Sequence, residues 1–234
     1  MSEFFLELFS EEIPANLQKN LRENLLKSFN DFFEGQFISF KRSSSYSTPN
    51  RLVILFEGVQ KQAVLKSEEI RGPSTKAPEL AIEGFIRANK ILKQNLYEKE
   101  TEKGSFFFFK TKSKKLYTHE LLEEFVPKIL NKIQWKKSMR WGDFALNWGR
   151  PLKSILAIFN KKTLIFNFHH IQSSNLTYID KDFEENRKKF SNFKEYKNFF
   201  KKEQITIDPV ERKKIIQKKF HLILKKKNII IEQN

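Results

Sequence analysis

The sequence predicts an α+β fold: a mixed or antiparallel sheet with packed helices, followed by a basic helical segment. Three observations predict it. Strand-like and helix-like runs mix along the 234 residues without the strict βαβ rhythm of a doubly wound sheet. Ile13, Leu17, Leu21, Leu25 and Phe29 recur every four residues, with Lys19, Arg22, Glu23 and Lys27 off that stripe, which is the pattern of an amphipathic helix over about residues 14–33. From Asp180 the composition turns lysine-rich and helical, giving an α+β region over 1–180 and a lysine-rich helical segment over 181–234, the start of a truncated continuation.

Phe4 to Phe9 alternates apolar and polar residues as a strand does, and Glu11, Glu12 and Pro14 then supply acidic and N1-proline signals for the helix. Phe37 to Tyr46 and Leu52 to Val59 read as an antiparallel pair of strands, joined through the turn-forming Ser47-Thr48-Pro49-Asn50. Glu69 to Pro73 is extended, and Pro78 to Ala88 is a short helix carrying Leu80, Ile82, Phe85 and Ile86. Ser105 to Phe109 is a strand too apolar to be exposed on either face. Thr118 to Ile133 is helical, with Pro127 expected to kink or split it. Ile155 to Phe159 and Thr163 to Phe168 form a hairpin across Asn160-Lys161-Lys162. Beyond Asp180, Phe183, Phe190, Phe193, Tyr196, Phe199 and Phe200 are the apolar set. Asp208-Pro209-Val210-Glu211 then combines an N-cap acid, an N1 proline and an acid at N3, before a face of Ile215, Ile216, Phe220 and Ile223. Ile229 to Ile231 begins another extended piece.

Composition excludes several classes of protein. With no cysteine, disulfides, thiolate zinc sites, iron–sulfur clusters and thiol nucleophiles are absent, and metal chemistry would rest on four histidines and the carboxylates. Apolar runs end far short of the ~20 residues that span a bilayer. Glu3, Glu7, Glu11 and Glu12 stand where a secretory leader carries positive charge, so a cytoplasmic location without membrane association is expected. The net charge of +16 favours polyanions, although 35 of the 44 cations are lysines, and codon supply in an AT-rich genome accounts for part of that excess.

The motifs of common chemistries are missing. A P-loop needs closely spaced glycines before Lys-Ser/Thr, a dinucleotide fold needs a glycine triplet, and Gly142 and Gly149 are too far apart for either. No nucleophile elbow occurs. His169 and His170 are adjacent, so on a strand they point to opposite faces and cannot chelate one metal, and the ordinary reading is one exposed and one half-buried histidine. His119 lies among Glu120, Glu123 and Glu124, acids that favour a helix N-terminus more than they form a site.

Trp135-Lys136-Lys137-Ser138-Met139-Arg140-Trp141-Gly142-Asp143 carries more information. It places three cations and two tryptophans in a turn-prone stretch, with Trp148, Arg150 and Pro151 following. Cations beside aromatics can neutralise phosphates and stack on bases. Equally, Trp135, Trp141 and Trp148 can be core anchors around which the cations snorkel.

These residues resemble the β subunit of bacterial heterotetrameric glycyl-tRNA synthetase, whose KSMRWG stretch is matched at Lys137 to Gly142. Other fragments follow in that family's order. Phe5 to Ala15 resembles its opening strand and E-E-[IL]-P-A helix start, Ser47 to Val53 its T-P-x-R-L segment, and Arg71-Gly72-Pro73 its R-G-P turn. Ala81 to Ala88 resembles A-x-x-G-F-x-R, Lys103-Gly104 its K-G turn, and Arg150-Pro151 the R-P after KSMRWG. One stretch departs: where the family has G-H-R-F, this chain runs from Asn175 into Ile179-Asp180-Lys181-Asp182-Phe183, so roles of those family residues do not carry over.

The resemblance corresponds to the N-terminal part of such a subunit, so a fragment or truncated gene product lacking the C-terminal anticodon-binding module is expected. It implies a non-catalytic part of glycine–tRNA ligase. The partners implied are the catalytic α subunit, which uses ATP and Mg to activate glycine, and tRNA(Gly), within an α2β2 heterotetramer. No cofactor and no catalytic residue are expected in this chain. Lys136, Lys137, Arg140 and Arg150 are the candidate tRNA contacts, with the cations beyond Lys181 as a secondary surface. Two alternatives stand beside this: a subunit-interface module that uses its phenylalanine-rich faces and touches no RNA, and a degenerate remnant that folds poorly.

Overall fold

A computed structural model describes residues 2–65, 67–102, 104–111, 114–179 and 186–227. In chain order the elements are β1 (Glu3–Ser10), α1 (Ala15–Gly35), β2 (Arg42–Thr48), β3 (Arg51–Glu57), β4 (Gln62–Leu65), β5 (Glu69–Ser74), α2 (Glu79–Asn89), β6 (Tyr97–Thr101), β7 (Gly104–Lys110) and β8 (Lys114–Tyr117). There follow α3 (Thr118–Asn131), β9 (Leu152–Phe159), β10 (Lys162–Thr163), β11 (Asn167–Phe168), β12 (Ile171–Gln172), β13 (Leu176–Tyr178), β14 (Arg187–Lys189), α4 (Phe193–Lys202) and α5 (Pro209–Lys227). The expected α+β class with antiparallel strands is what the structure shows. Two compact units result: Gln62–Leu116, and the residues up to Lys61 together with those from Tyr117 onward.

The larger unit is built on a five-stranded sheet ordered β10-β9-β1-β3-β2. Phe4 to Phe9 of β1 are all buried because β1 is the central strand, paired antiparallel to β3 on one side and β9 on the other. Alternation along the strand then separates two faces. On one face Phe4, with Phe56 opposite it on β3, meets Phe29 and Phe33 of α1, the Phe4 ring lying 5.4 Å from that of Phe29. On the other, Phe5, Val53, Leu55, Leu156 and Ile158 form one core cluster with Phe190, Phe193, Tyr196, Phe200 and Ile207. Each fully buried phenylalanine contributes roughly 1.5–3 kcal/mol. Lysine-rich though it is, the chain from Phe190 through α4 thus supplies much of the apolar cover on this face of the sheet.

The smaller unit holds the three-stranded sheet β5-β7-β6, with β4 paired to β8. Here β7 departs from expectation: Phe108 and Phe109 are buried, but Phe106 and Phe107 are only half-buried. One side packs against α2 through Phe85 and Phe109. On the other, the Arg71 guanidinium lies 3.6 Å over the Phe106 ring and Lys99 stands over Phe108, so cationic side chains do the covering that a second apolar layer would do. Gly72 is required by close approach, since a Cβ there would meet the Phe85 ring at 2.7 Å. The R-G-P and G-F-x-R fragments are therefore one packing unit.

Several boundaries move for local reasons. Pro14 occupies the N-cap position of α1 rather than N1. Phe37, at φ 54°, turns the chain out of α1, so residues 37–41 leave the helix and β2 starts only at Arg42. Pro127 does not split α3, which runs continuously through it with Leu122, Val126, Ile129 and Leu130 buried around it. The second strand of the β9 hairpin shrinks to Lys162–Thr163 after a turn in which Asn160 and Lys161 both take left-handed φ. At α5 the N-cap reading is met: Asp208 Oδ1 accepts the Val210 and Glu211 N–H groups, at 2.8 and 3.3 Å. The expected division at 180/181, Lys103 of the K-G turn and the Ile229 to Ile231 piece lie outside the described residues.

Candidate nucleic-acid interface

The stretch after α3 is a loop closed on itself. Met139 and Trp148 exchange backbone hydrogen bonds of 2.8 and 3.1 Å, and Trp148 is buried against Phe168. Trp135 stacks at a tilt on Trp148, with centroids 5.0 Å apart, and lies so close over Gly149 that a Cβ there would sit 1.8 Å from its ring. Of the two readings of these tryptophans, the anchoring one describes Trp148 and Trp135, whereas Trp141 is half exposed at the loop tip.

That frame places the four candidate cations differently. Lys136, Lys137 and Arg140 are exposed and lie in no ion pair among the described residues. Arg150 is half-buried, its guanidinium donating to the Glu12 carbonyl at 3.1 Å and the Gly149 carbonyl at 2.9 Å. With Glu11 N–H bonded to the Pro151 carbonyl and Ile13 N–H to the Pro49 carbonyl, the E-E-I-P, T-P-N-R-L and R-P fragments converge at one end of the sheet. Arg150 thus stitches that junction as well as carrying charge.

The histidine pair is not on a strand. His169 and His170 are the two-residue turn between β11 and β12, both exposed, because β11 ends at Phe168 and His169 takes φ 52°. His169 Nε2 lies 3.1 Å from Asn131 Oδ1. His170 stacks face to face on Phe144, centroids 3.6 Å apart and planes 8° from parallel, with Trp141 edge-on at 6.0 Å. Partial loss of hydration and the neighbouring His169 lower its pKa, favouring the neutral imidazole. Among the described residues no three His, Asp or Glu side chains gather as a metal site.

The second sheet face hides a buried ion pair that sequence patterning does not reveal. Glu7 of β1 and Arg51 of β3 are fully or nearly fully buried, with Arg51 Nε 3.6 Å from Glu7 Oε1. Thr177 donates its hydroxyl to the same carboxylate, and Arg51 donates to the Tyr178 and Ile179 carbonyls. The guanidinium is sandwiched between the Phe9 and Phe200 rings, at 4.6 and 4.5 Å. Burial raises the Glu7 pKa, and the charge of Arg51 only partly offsets it; burial and the Glu7 charge together push the adjoining Tyr196 phenol well above its ordinary value. In the sequence the pair shows only as Glu7 interrupting the apolar run from Phe4 to Phe9.

The model of the glycyl-tRNA synthetase beta subunit family matches residues 4–234. The chain belongs to that family. Among curated relatives, the glycine–tRNA ligase beta subunits of Rickettsia peacockii (strain Rustic) and Rickettsia prowazekii (strain Madrid E) are 35% identical over 240 residues and 36% over 234, each alignment covering all of this chain. That of Rickettsia bellii (strain OSU 85-389) is 35% identical over 217 residues, 93% of this chain. The shares of the three relatives covered are 36%, 35% and 33%, so the chain spans about a third of their length, in their N-terminal part. No helix among the described residues is long and apolar enough to cross a membrane.

Proposed function

We propose that this family member serves glycine–tRNA ligase as a non-catalytic tRNA-contacting and assembly module, working with a catalytic α subunit that activates glycine with ATP and Mg. The observation that carries the reading is the loop at 135–151. Trp135, Trp148 and Gly149 are committed to packing while Lys136, Lys137 and Arg140 remain in solvent, the arrangement of a rigid frame presenting cations to a phosphate backbone. Arg150 contributes chiefly by holding that loop to the helix-start junction. Its likeness to glycine–tRNA ligase beta subunits supports the ligase assignment, and the α2β2 assembly and a cytoplasmic setting belong to the same proposal.

The test is co-elution of the chain with its organism's α subunit, a glycylation assay on the recovered complex, and a salt titration of tRNA(Gly) binding. Phosphate contact by three cations predicts a log–log salt slope near −3. Glycylation by the co-eluted pair supports the whole reading; a well-folded chain that neither co-elutes nor binds tRNA overturns it.

A second reading, an interface module without RNA contact, is favoured by one observation. The phenylalanine-rich faces are mostly core, but Ile216, Phe220 and Ile223 share one face of α5 and are all exposed. Salt-insensitive association with the α subunit, with no tRNA binding, would select it.

A further inference from the structure

Beside the cationic loop lies an open cavity of about 330 Å³, lined among others by Ser154, His170, Gln172, Tyr178 and Arg187. Its lining contains no carboxylate. The Arg187 guanidinium is held in place, donating to the Tyr178 hydroxyl at 2.5 Å and lying 4.5 Å over that ring, and it meets no carboxylate among the described residues. Ser154 Oγ is buried without a hydrogen-bond partner. Lys153, also at this cavity, is already paired with Glu11 at 2.7 Å. One wall is His170, whose ring also stacks on that of Phe144, itself 42% exposed.

We propose that this juxtaposition, an arginine-bearing polar cavity and an exposed aromatic stack sharing His170, is a subsite for an unpaired nucleotide of an RNA chain. The phosphate sits against Arg187 and the base lies on the Phe144–His170 tier. A positioned guanidinium matches phosphate oxygens in a bidentate fashion. An aromatic face accepts a base only when that base is free of its own duplex stack, which selects single-stranded over helical RNA. The polymer rather than a free nucleotide follows from the surroundings: the loop that carries Phe144 also carries exposed Lys136, Lys137 and Arg140 against one acid, Asp143, a track for successive phosphates. The inference rests on the tRNA-contact reading above and names which part of an RNA is held.

The experiment measures binding of the full chain to a short single-stranded oligoribonucleotide, to a matched duplex and to tRNA(Gly), for the parent and for Phe144→Ala, Phe144→Tyr and Arg187→Gln. Both altered side chains are partly or wholly exposed, and unchanged thermal unfolding checks the fold. Single-strand affinity should drop roughly ten-fold in Phe144→Ala and be restored in Phe144→Tyr. Arg187→Gln should shorten the salt slope by about one. Equal binding of single strand and duplex, unchanged affinity in the variants, or equally tight binding of free AMP would overturn the subsite while leaving tRNA contact standing. Parent protein that binds neither tRNA nor oligonucleotide overturns both.

Discussion

The two faces of the five-stranded sheet solve the same burial problem with different chemistry. Against α1 the packing is rings on rings: Phe4, Phe29, Phe33 and Phe56 meet one another with no charge among them. Against α4 an equally aromatic cluster encloses Glu7 and Arg51. Apolar packing tolerates many arrangements of similar volume, whereas a buried ion pair is satisfied in few, so the second face fixes the register of what lies over it. Arg51 grips the Tyr178 and Ile179 carbonyls and Thr177 grips Glu7, which locates β13, and Tyr178 in turn positions Arg187.

The contrast is broken most directly at Arg51. Arg51→Met leaves the Glu7 carboxylate buried without its counter-charge and should cost about 3–5 kcal/mol at neutral pH, measured by urea unfolding. The pH dependence has a definite sign. The Glu7 pKa is raised in the folded state, so its contribution to stability is fully present below the ordinary glutamate value of 4.5 and is lost as pH rises through the raised one. Loss of Arg51 raises it further, so the Arg51→Met penalty should shrink when the measurement is repeated near pH 4.5; a penalty independent of pH would show that the pair's charge is not what matters. Phe29→Ala on the opposite face should cost a similar ~3–5 kcal/mol through the cavity it leaves, and that cost should stay flat over the same pH range.

Thr177→Val sharpens the comparison by removing one hydrogen bond and keeping the shape. A loss of about 1.5–3 kcal/mol is expected, as for a bond to a charged acceptor, and the variant's pH profile should tilt in the same direction as that of Arg51→Met. Gly149→Ala belongs to neither face. Overpacking against Trp135 should cost about 1–3 kcal/mol, visible in tryptophan fluorescence, and should weaken tRNA binding by displacing the cationic loop while the pH profile of unfolding stays that of the parent.

Much of the fold was legible because burial imposes periodicity. The four-residue stripe of α1, the Pro49-Asn50 turn and the Asp208 cap are local consequences of local residues, and they appear where the sequence put them. What failed were places where a neighbour overrides the local pattern. The run of phenylalanines in β7 signalled two covered faces, but Arg71 and Lys99 do part of the covering. On a strand the two histidines would point to opposite faces, but β11 ends at Phe168 and they form the turn instead. Of the candidate site, Lys136, Lys137 and Arg140 were legible as exposed cations among aromatics, and the seven motif fragments foretold the family.

The sequence by itself determined the α+β class, the helix stripes, the polyanion-favouring charge and family membership, since each depends on residue order or residue sums alone. Tertiary structure decided which cations are free and which are structural. Arg150 and Arg51 look no different in sequence from Arg140, yet one is bonded to backbone carbonyls and another is buried against a carboxylate. It also decided that His170, Tyr178 and Arg187 line one cavity and that Phe144 stacks on that His170. Residues more than forty positions apart share a site only because the β9 to β14 segments fold back beside the loop, and no local pattern encodes such a meeting.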